Sequence, residues 1–101
     1  MPLVSVIVTT YNRKDLLTKT IDSILNQTYK NYELIVIDNY SNYDFLSHIK
    51  SFNDERIRSF QSGNDGIIAV NRNYGIKKSK GEYIAFCDDD DLWYPEKLKV
   101  S

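Results

Sequence analysis

Three runs in this chain of 101 residues are apolar almost without interruption: Leu3 to Thr9, Tyr32 to Ile37 and Tyr83 to Cys87. Each is short and carries little of the alternation expected of a strand with one face in water. Such runs fit strands covered on both faces, the situation of a parallel sheet with helices above and below. The stretches between them have helical spacing instead. Leu17, Ile21, Ile24 and Leu25 share one face of a helix expected near residues 13–26, and Asn12 followed by Asp15 resembles a capping box. Tyr43 to Phe52 reads as a second helix through Phe45, Leu46, Ile49 and Phe52, and Arg56 to Phe60 as a short third strand. Gly66 to Ser79 reads as a third helix ended by the loop residue Gly81, and Pro95 with Glu96 marks the first turn of a fourth.

Right-handed crossovers place these strands in the order 3-2-1-4, with the winding reversing between the first and the fourth. The expected fold class is therefore α/β, a Rossmann-like parallel sheet with helices on both faces. With 42% hydrophobic and 27% charged residues, one small globular domain over 1–101 is the expectation. A net charge of −1 with scattered Lys and Arg gives no basic stripe, so neither nucleic acid nor an anionic membrane is indicated as a partner. The single Cys87 cannot form an internal disulfide and reads as a buried, inert small hydrophobe. No charged-then-apolar leader and no long apolar stretch is present, so no transmembrane segment is expected and the cytoplasm is the default location. His48, beside Ser47 and Lys50, reads as a solvated surface histidine.

Four consecutive carboxylates, Asp88, Asp89, Asp90 and Asp91, follow the last apolar run directly. Neighbouring carboxylates repel, and such a group calls for a cation or a hydroxyl-rich ligand; a solvated acidic loop is the plainer alternative. Thr9, Thr10, Tyr11 and Asn12 leave the first strand, and Asp38, Asn39 and Tyr40 the second, so all should face the aspartates across the crevice at the winding reversal. Hydroxyl, aromatic ring, amide and carboxylate together suit a nucleotide. No strand is followed by a glycine-rich phosphate turn, so an aspartate-bound metal is the expected means of holding phosphate.

Five segments then resemble, in order, the family 2 glycosyltransferases of the GT-A fold, which use nucleotide-diphosphate sugars. They are Val4 to Arg13; Ser23 to Tyr29, similar to S-[IV]-L-x-Q-[ST]-[YF]; Tyr32 to Asp38, similar to F-E-[IL]-I-[VI]-V-D; Asn71 to Gly75, similar to A-R-N-x-G; and Gly81 to Trp93, similar to G-E-Y-[IL]-x-F-L-D-x-D-D-x-[WY]. Together they run in register from residue 4 to residue 93, so the resemblance extends over almost the whole chain.

The resemblance implies an inverting, metal-dependent transfer of a sugar from a nucleotide-diphosphate donor, with UDP the leading choice, to an acceptor hydroxyl on a glycan, lipid-linked or other molecule. It implies a setting in cell-envelope polysaccharide synthesis, with the full-length protein peripheral at the inner face of the membrane. Substrate contacts are implied for Thr9, Tyr11 (stacking on the base), Asp38, Asn39, Arg72, Asp88 and Asp89, and a contact to Mn²⁺ or Mg²⁺ for Asp90. A helix-capping or turn aspartate is the alternative for Asp38, and a helix-surface cation paired with an acid is the alternative for Arg72. The family's general base is expected beyond residue 101, so the chain reads as the N-terminal donor-binding portion of a longer enzyme, inactive alone. Two departures bear on the base: Asn39 stands where an acceptor Asp is usual, and the bulky Tyr40 where a small residue is usual. A nucleotidyltransferase or other mononucleotide-binding enzyme, and a receiver-like switch domain, are the alternative classes.

Overall fold

A computed structural model describes residues 2–89, 92–95 and 97. Four strands alternate with three helices: β1 (Val4–Thr10), α1 (Lys14–Leu25), β2 (Tyr32–Asp38), α2 (Phe45–Lys50), β3 (Ile57–Gln61), α3 (Ile68–Lys78) and β4 (Tyr83–Asp88). The sheet order is β3-β2-β1-β4, and every adjacent pair is parallel. This is the expected α/β architecture, with its winding reversal between β1 and β4.

The continuous apolar runs are explained by the two central strands. Every residue of β2 is buried, as are all but one of β1. Side chains alternate between faces, so Val4, Val6, Val8, Tyr32, Leu34 and Val36 pack with Leu17, Ile21 and Ile24 of α1 and with Phe45 and Ile49 of α2. Ile7, Ile35 and Ile37 form a second core on the opposite face, with Phe60 and Tyr74 against it. Cys87 is buried within the first core, as expected of a small hydrophobe. Among the described residues no helix is long and apolar enough to cross a membrane.

Several local expectations are corrected. The capping box at α1 does not form: the N-cap is Arg13, without a side-chain cap. Asn12 instead takes φ 51, a left-handed conformation that Asn tolerates, and its Oδ1 accepts from Asn42 N at 2.7 Å. α2 begins at Phe45 because the Asp44 side chain accepts from Ser47 N (3.1 Å) and caps it there. α3 begins at Ile68 because Gly66, at φ 80, cannot be part of a right-handed helix. Of the expected fourth helix, Glu96 lies outside the described residues.

His48 is not solvated; it is 8% exposed, wedged between α1 and α2. Nε2 lies 2.7 Å from Thr18 Oγ1 and Nδ1 2.9 Å from Tyr43 Oη. Thr18 gives its one hydroxyl proton to Lys14 O (3.0 Å), so towards His48 it accepts, which assigns the proton to Nε2 and makes Nδ1 the acceptor from Tyr43. Burial first, then the nearby Lys14 charge, holds His48 below its ordinary value of 6.5, against an opposing pull from Asp15. Protonation at Nδ1 would meet the Tyr43 hydroxyl proton. Tyr43 would then have to turn its O–H away and accept; it stays a neutral phenol, because burial and the charges of Asp38 and Asp89 push it up to about 12.

Glu33 on β2 shows the opposite balance. Burial pushes it up, but hydrogen bonds from Ser5 (2.6 Å), Lys80 N (2.6 Å) and Arg58 (3.0 Å) outweigh that and hold it below 4.5. The same corner explains Gly81, where an added Cβ would stand 2.6 Å from Ser5 Oγ, 2.7 Å from Ser5 N and 2.8 Å from Leu3 O.

Two outcomes are expected. A neutral His48 favours the fold, so its contribution is present above pH 6.5 and is lost as pH falls below that value. Thermal melts across this window should therefore slope less in His48→Gln than in the wild type, while the Glu33 contribution, lost only below about pH 4.5, stays in both. Gly81→Ala should cost about 1–3 kcal/mol in urea titrations, because two of the three opposing atoms are backbone.

Candidate functional site

The carboxyl ends of β1 and β4 open into a cleft of about 460 Å³, at the winding reversal. Thr9, Thr10, Tyr11 and Arg13 line it from the β1 exit, Asp88 and Asp89 from the β4 exit, and Asn64, Ile68 and Arg72 from the β3–α3 loop and α3. Tyr11 is 53% exposed and brings an aromatic side chain to the cleft.

Each described aspartate of the cluster has a guanidinium neighbour. Arg72 Nη2 lies 3.1 Å from Asp88 Oδ1, and its guanidinium carbon sits 5.5 Å from the centre of the Phe86 ring. Arg72 is thus a helix cation paired with an acid, as its alternative has it, and both residues line the cleft. Arg13 Nη1 lies 3.4 Å from Asp89 Oδ1, while Thr10 Oγ1 donates to Asp89 Oδ2 at 3.0 Å. Asp89 is 9% exposed and turned inward, whereas the Asp88 side chain is 57% exposed. Asp88 therefore offers hard carboxylate oxygens at the cleft, a donor type that suits Mg²⁺ or Mn²⁺. Asp90, the expected metal ligand, lies outside the described residues.

The β2 exit plays a different part. Asp38 is fully buried; its Oδ2 accepts from Ser41 N (2.9 Å) and Gln61 Nε2 (3.1 Å), and its Oδ1 from the Ser41 hydroxyl. It holds a turn and does not line the cleft, which agrees with the turn-aspartate alternative. Asn39 is one step removed as well: its N–H donates to Thr10 O (3.0 Å), and its Oδ1 accepts from Asn64 N at 3.1 Å. A backbone N–H can meet only an oxygen, so this bond fixes the Asn39 amide orientation and makes Asn39 the support of a cleft residue. Tyr40, at φ 53 and 62% exposed, stands beside Gly63.

Sequence reasoning assigned no role to Arg13, Asn64 or Ile68. Arg13 was within reach, as the next residue of the β1 exit after Asn12. Asn64 sits in an irregular turn after β3, where no periodicity signals which residue faces inward. The cleft thus combines an aromatic face, two guanidinium groups, a hydroxyl pair and exposed carboxylate oxygens, a set able to hold a ring, phosphate oxygens and a hydroxylated or cationic group.

Residues 5–100 match the glycosyl transferase family 2 pattern. The chain is 42% identical over 98 residues to the Escherichia coli UDP-Glc:alpha-D-GlcNAc-diphosphoundecaprenol beta-1,3-glucosyltransferase WfaP, covering 97% of this chain and 39% of that protein. Staphylococcus aureus TarS 1–349, crystallised in complex with UDP, superposes with a TM-score of 0.87 at 31% identity, over 95% of this chain and 30% of that one. The Pyrobaculum calidifontis mannosyltransferase PcManGT, crystallised with GDP-Man and Mn²⁺, gives 0.80 at 27% identity, over 91% and 28%. The chain thus spans less than half the length of each of these proteins.

Asp38→Asn should place an amide NH₂ among groups that donate to the present carboxylate. A loss of about 1–3 kcal/mol is expected in thermal or urea melts of the protein without ligand, the cost of leaving buried polar groups unpaired. An unchanged melt would free Asp38 from its turn-holding role.

Proposed function

The chain belongs to glycosyl transferase family 2, and from that premise we propose that its cleft binds the nucleotide diphosphate of a sugar donor, UDP being the leading choice, for transfer to an acceptor hydroxyl with inversion. The nucleotidyltransferase and receiver-like alternatives have no comparable support. The observation that carries the reading is the meeting, at one sheet edge, of the exposed Tyr11 side chain with Arg72 and the exposed Asp88 carboxylate. The UDP complex of TarS and the UDP-Glc in the name of WfaP support the choice of base.

In this reading Tyr11 stacks on the base, and Thr9 lies beside it. Asn39 bears on the base through the wall residue Asn64, and Asp38 keeps the β2 exit in place. Arg72 turns from Asp88 towards phosphate oxygens, an exchange made cheap by the exposure of both side chains, since such surface pairs are worth only about 0–1 kcal/mol. Asp88 and Asp89 face the ribose and the metal's water shell, with Asp90 as the direct metal ligand. A bound Mn²⁺ or Mg²⁺ would neutralise charge on the departing diphosphate. The general base and acceptor site are assigned to the remainder of a longer protein, with a lipid-linked saccharide as the acceptor class, on the model of WfaP's name. A peripheral position at the inner membrane face follows from that acceptor.

Calorimetric titration of UDP with and without Mn²⁺ tests the reading. Affinity should rise with the cation, and UDP at a hundredfold excess over its Kd should stabilise the fold by about 2.7 kcal/mol. Asp90→Asn should remove the metal-dependent part without lowering the melting temperature of the free protein. Arg72→Ala should weaken UDP binding by about 1.5–3 kcal/mol, the range of a charge-assisted hydrogen bond. Equal melting shifts with and without Mn²⁺ would remove the metal from the proposal, and no shift in either would remove the nucleotide.

A further inference from the structure

The segment Ser23 to Tyr29 stands out in the sequence, yet none of it lines the cleft. Thr20, Ser23 and Gln27 are spaced i, i+3 and i+7, one stripe along α1 and its C-terminal extension. That stripe is polar where its neighbours Leu17, Ile21 and Ile24 are core residues. Thr20 and Gln27 are 0% exposed. Buried polar side chains are costly unless bonded, so the partners of this stripe indicate what it is for.

All three reach the segment that leaves β4. Thr20 Oγ1 donates to the Asp89 carbonyl at 2.9 Å. Ser23 Oγ donates to Thr20 O (2.7 Å) and accepts from Trp93 N at 3.0 Å. Gln27 Nε2 donates to the Tyr94 carbonyl at 2.7 Å, and Thr28 N to the Pro95 carbonyl at 2.8 Å. The Trp93 side chain, 9% exposed, is itself part of the α1-side core. The segment is therefore clamped through its backbone at Asp89 and again at Trp93 to Pro95.

We propose that Thr20, Ser23 and Gln27 are positioning residues for the acidic edge of the cleft: by gripping the backbone after β4 at two places, they hold the carboxylates of Asp88 and Asp89 in the geometry that a divalent cation and a diphosphate require. A carboxylate loop left to itself would move apart under its own repulsion, and a fixed spacing of oxygens is what a small, geometry-demanding cation selects. The grip comes from backbone carbonyl and amide groups, so it places the charges without neutralising them. Groups that orient metal-binding side chains in this way typically change metal affinity by about 10–100-fold when removed.

The ligand arm of the test rests on the nucleotide-binding reading above, while a second arm does not. In the first, UDP affinity is measured with and without Mn²⁺ for wild type, Thr20→Val, Thr20→Ser and Gln27→Met, with bound Mn²⁺ followed by electron paramagnetic resonance. Thr20→Val and Gln27→Met preserve side-chain volume and remove the donor. They should lose about 10–100-fold of the Mn²⁺-dependent gain in affinity, far more than any change in affinity for UDP alone; Thr20→Ser, which keeps its hydroxyl, should retain the full gain. In the second arm, amide hydrogen exchange is read without any ligand: Ser23→Ala should speed exchange at the Trp93 amide by about tenfold, the effect of one lost hydrogen bond. The proposal is overturned if both volume-preserving variants keep the wild-type gain, if metal-free and metal-dependent affinity fall in the same proportion, or if both variants fail to fold. A wild type that binds no UDP overturns the donor-site reading instead, and unchanged protection of Trp93 in Ser23→Ala then overturns the grip.

Discussion

Burial of β1 on both faces and along both edges is the constraint on which the rest depends. With β2 hydrogen-bonded on one side and β4 on the other, β1 has no edge in water, and its side chains alternate between two separate cores. Neighbouring strands lie about 4.8 Å apart, so this arrangement brings the exits of β1 and β4 together although Thr10 and Asp89 are 79 residues apart in the chain. The helices follow: α1 and α2 cover one face, α3 the other, and the cleft opens where the winding turns from one direction to the other. No other position in the sheet has strand exits that diverge in this way.

Around the cleft the two described acids are treated differently. Asp89 is held by Thr10 and Arg13 and is largely withdrawn from water, so it is fixed. Asp88 has an exposed guanidinium partner, and an exposed pair is weakly coupled and easily exchanged for another partner. One acid is thus part of the wall and the other is available to a ligand. The amides show the same division, with Asn39 supporting and Asn64 lining.

How much was legible depended on the range of the interaction that decides each feature. The strand runs and the α1 periodicity are local patterns, and all four strands were found within a residue or two of their ends. The α2 and α3 starts were missed by two residues, because a capping Asp44 and the φ of Gly66 outweigh the apolar spacing. His48 was misread because its surroundings come from elsewhere: Thr18 is 30 residues away, and no pattern around position 48 announces it. Asn12 does not cap α1 as its spacing from Asp15 suggested, because its Oδ1 is taken by Asn42 N across the strand exits.

The sequence by itself determined the fold class, the strand order and the family, since continuous apolar runs, helical spacing and ordered motifs are properties of near neighbours in the chain. It also determined which residue types gather at the strand exits. Only the tertiary structure decided which of them face the cleft, because that turns on single hydrogen bonds between distant segments. Asp38 is turned into its own loop by Ser41 and Gln61, whereas Asp89 stays in the cleft wall, held there by Thr10. The polar stripe of α1 belongs to the same class: Thr20, Ser23 and Gln27 look like ordinary helix residues until the chain after β4 is laid across them, and an unpaired polar group is too costly to bury for their contact with that segment to be incidental.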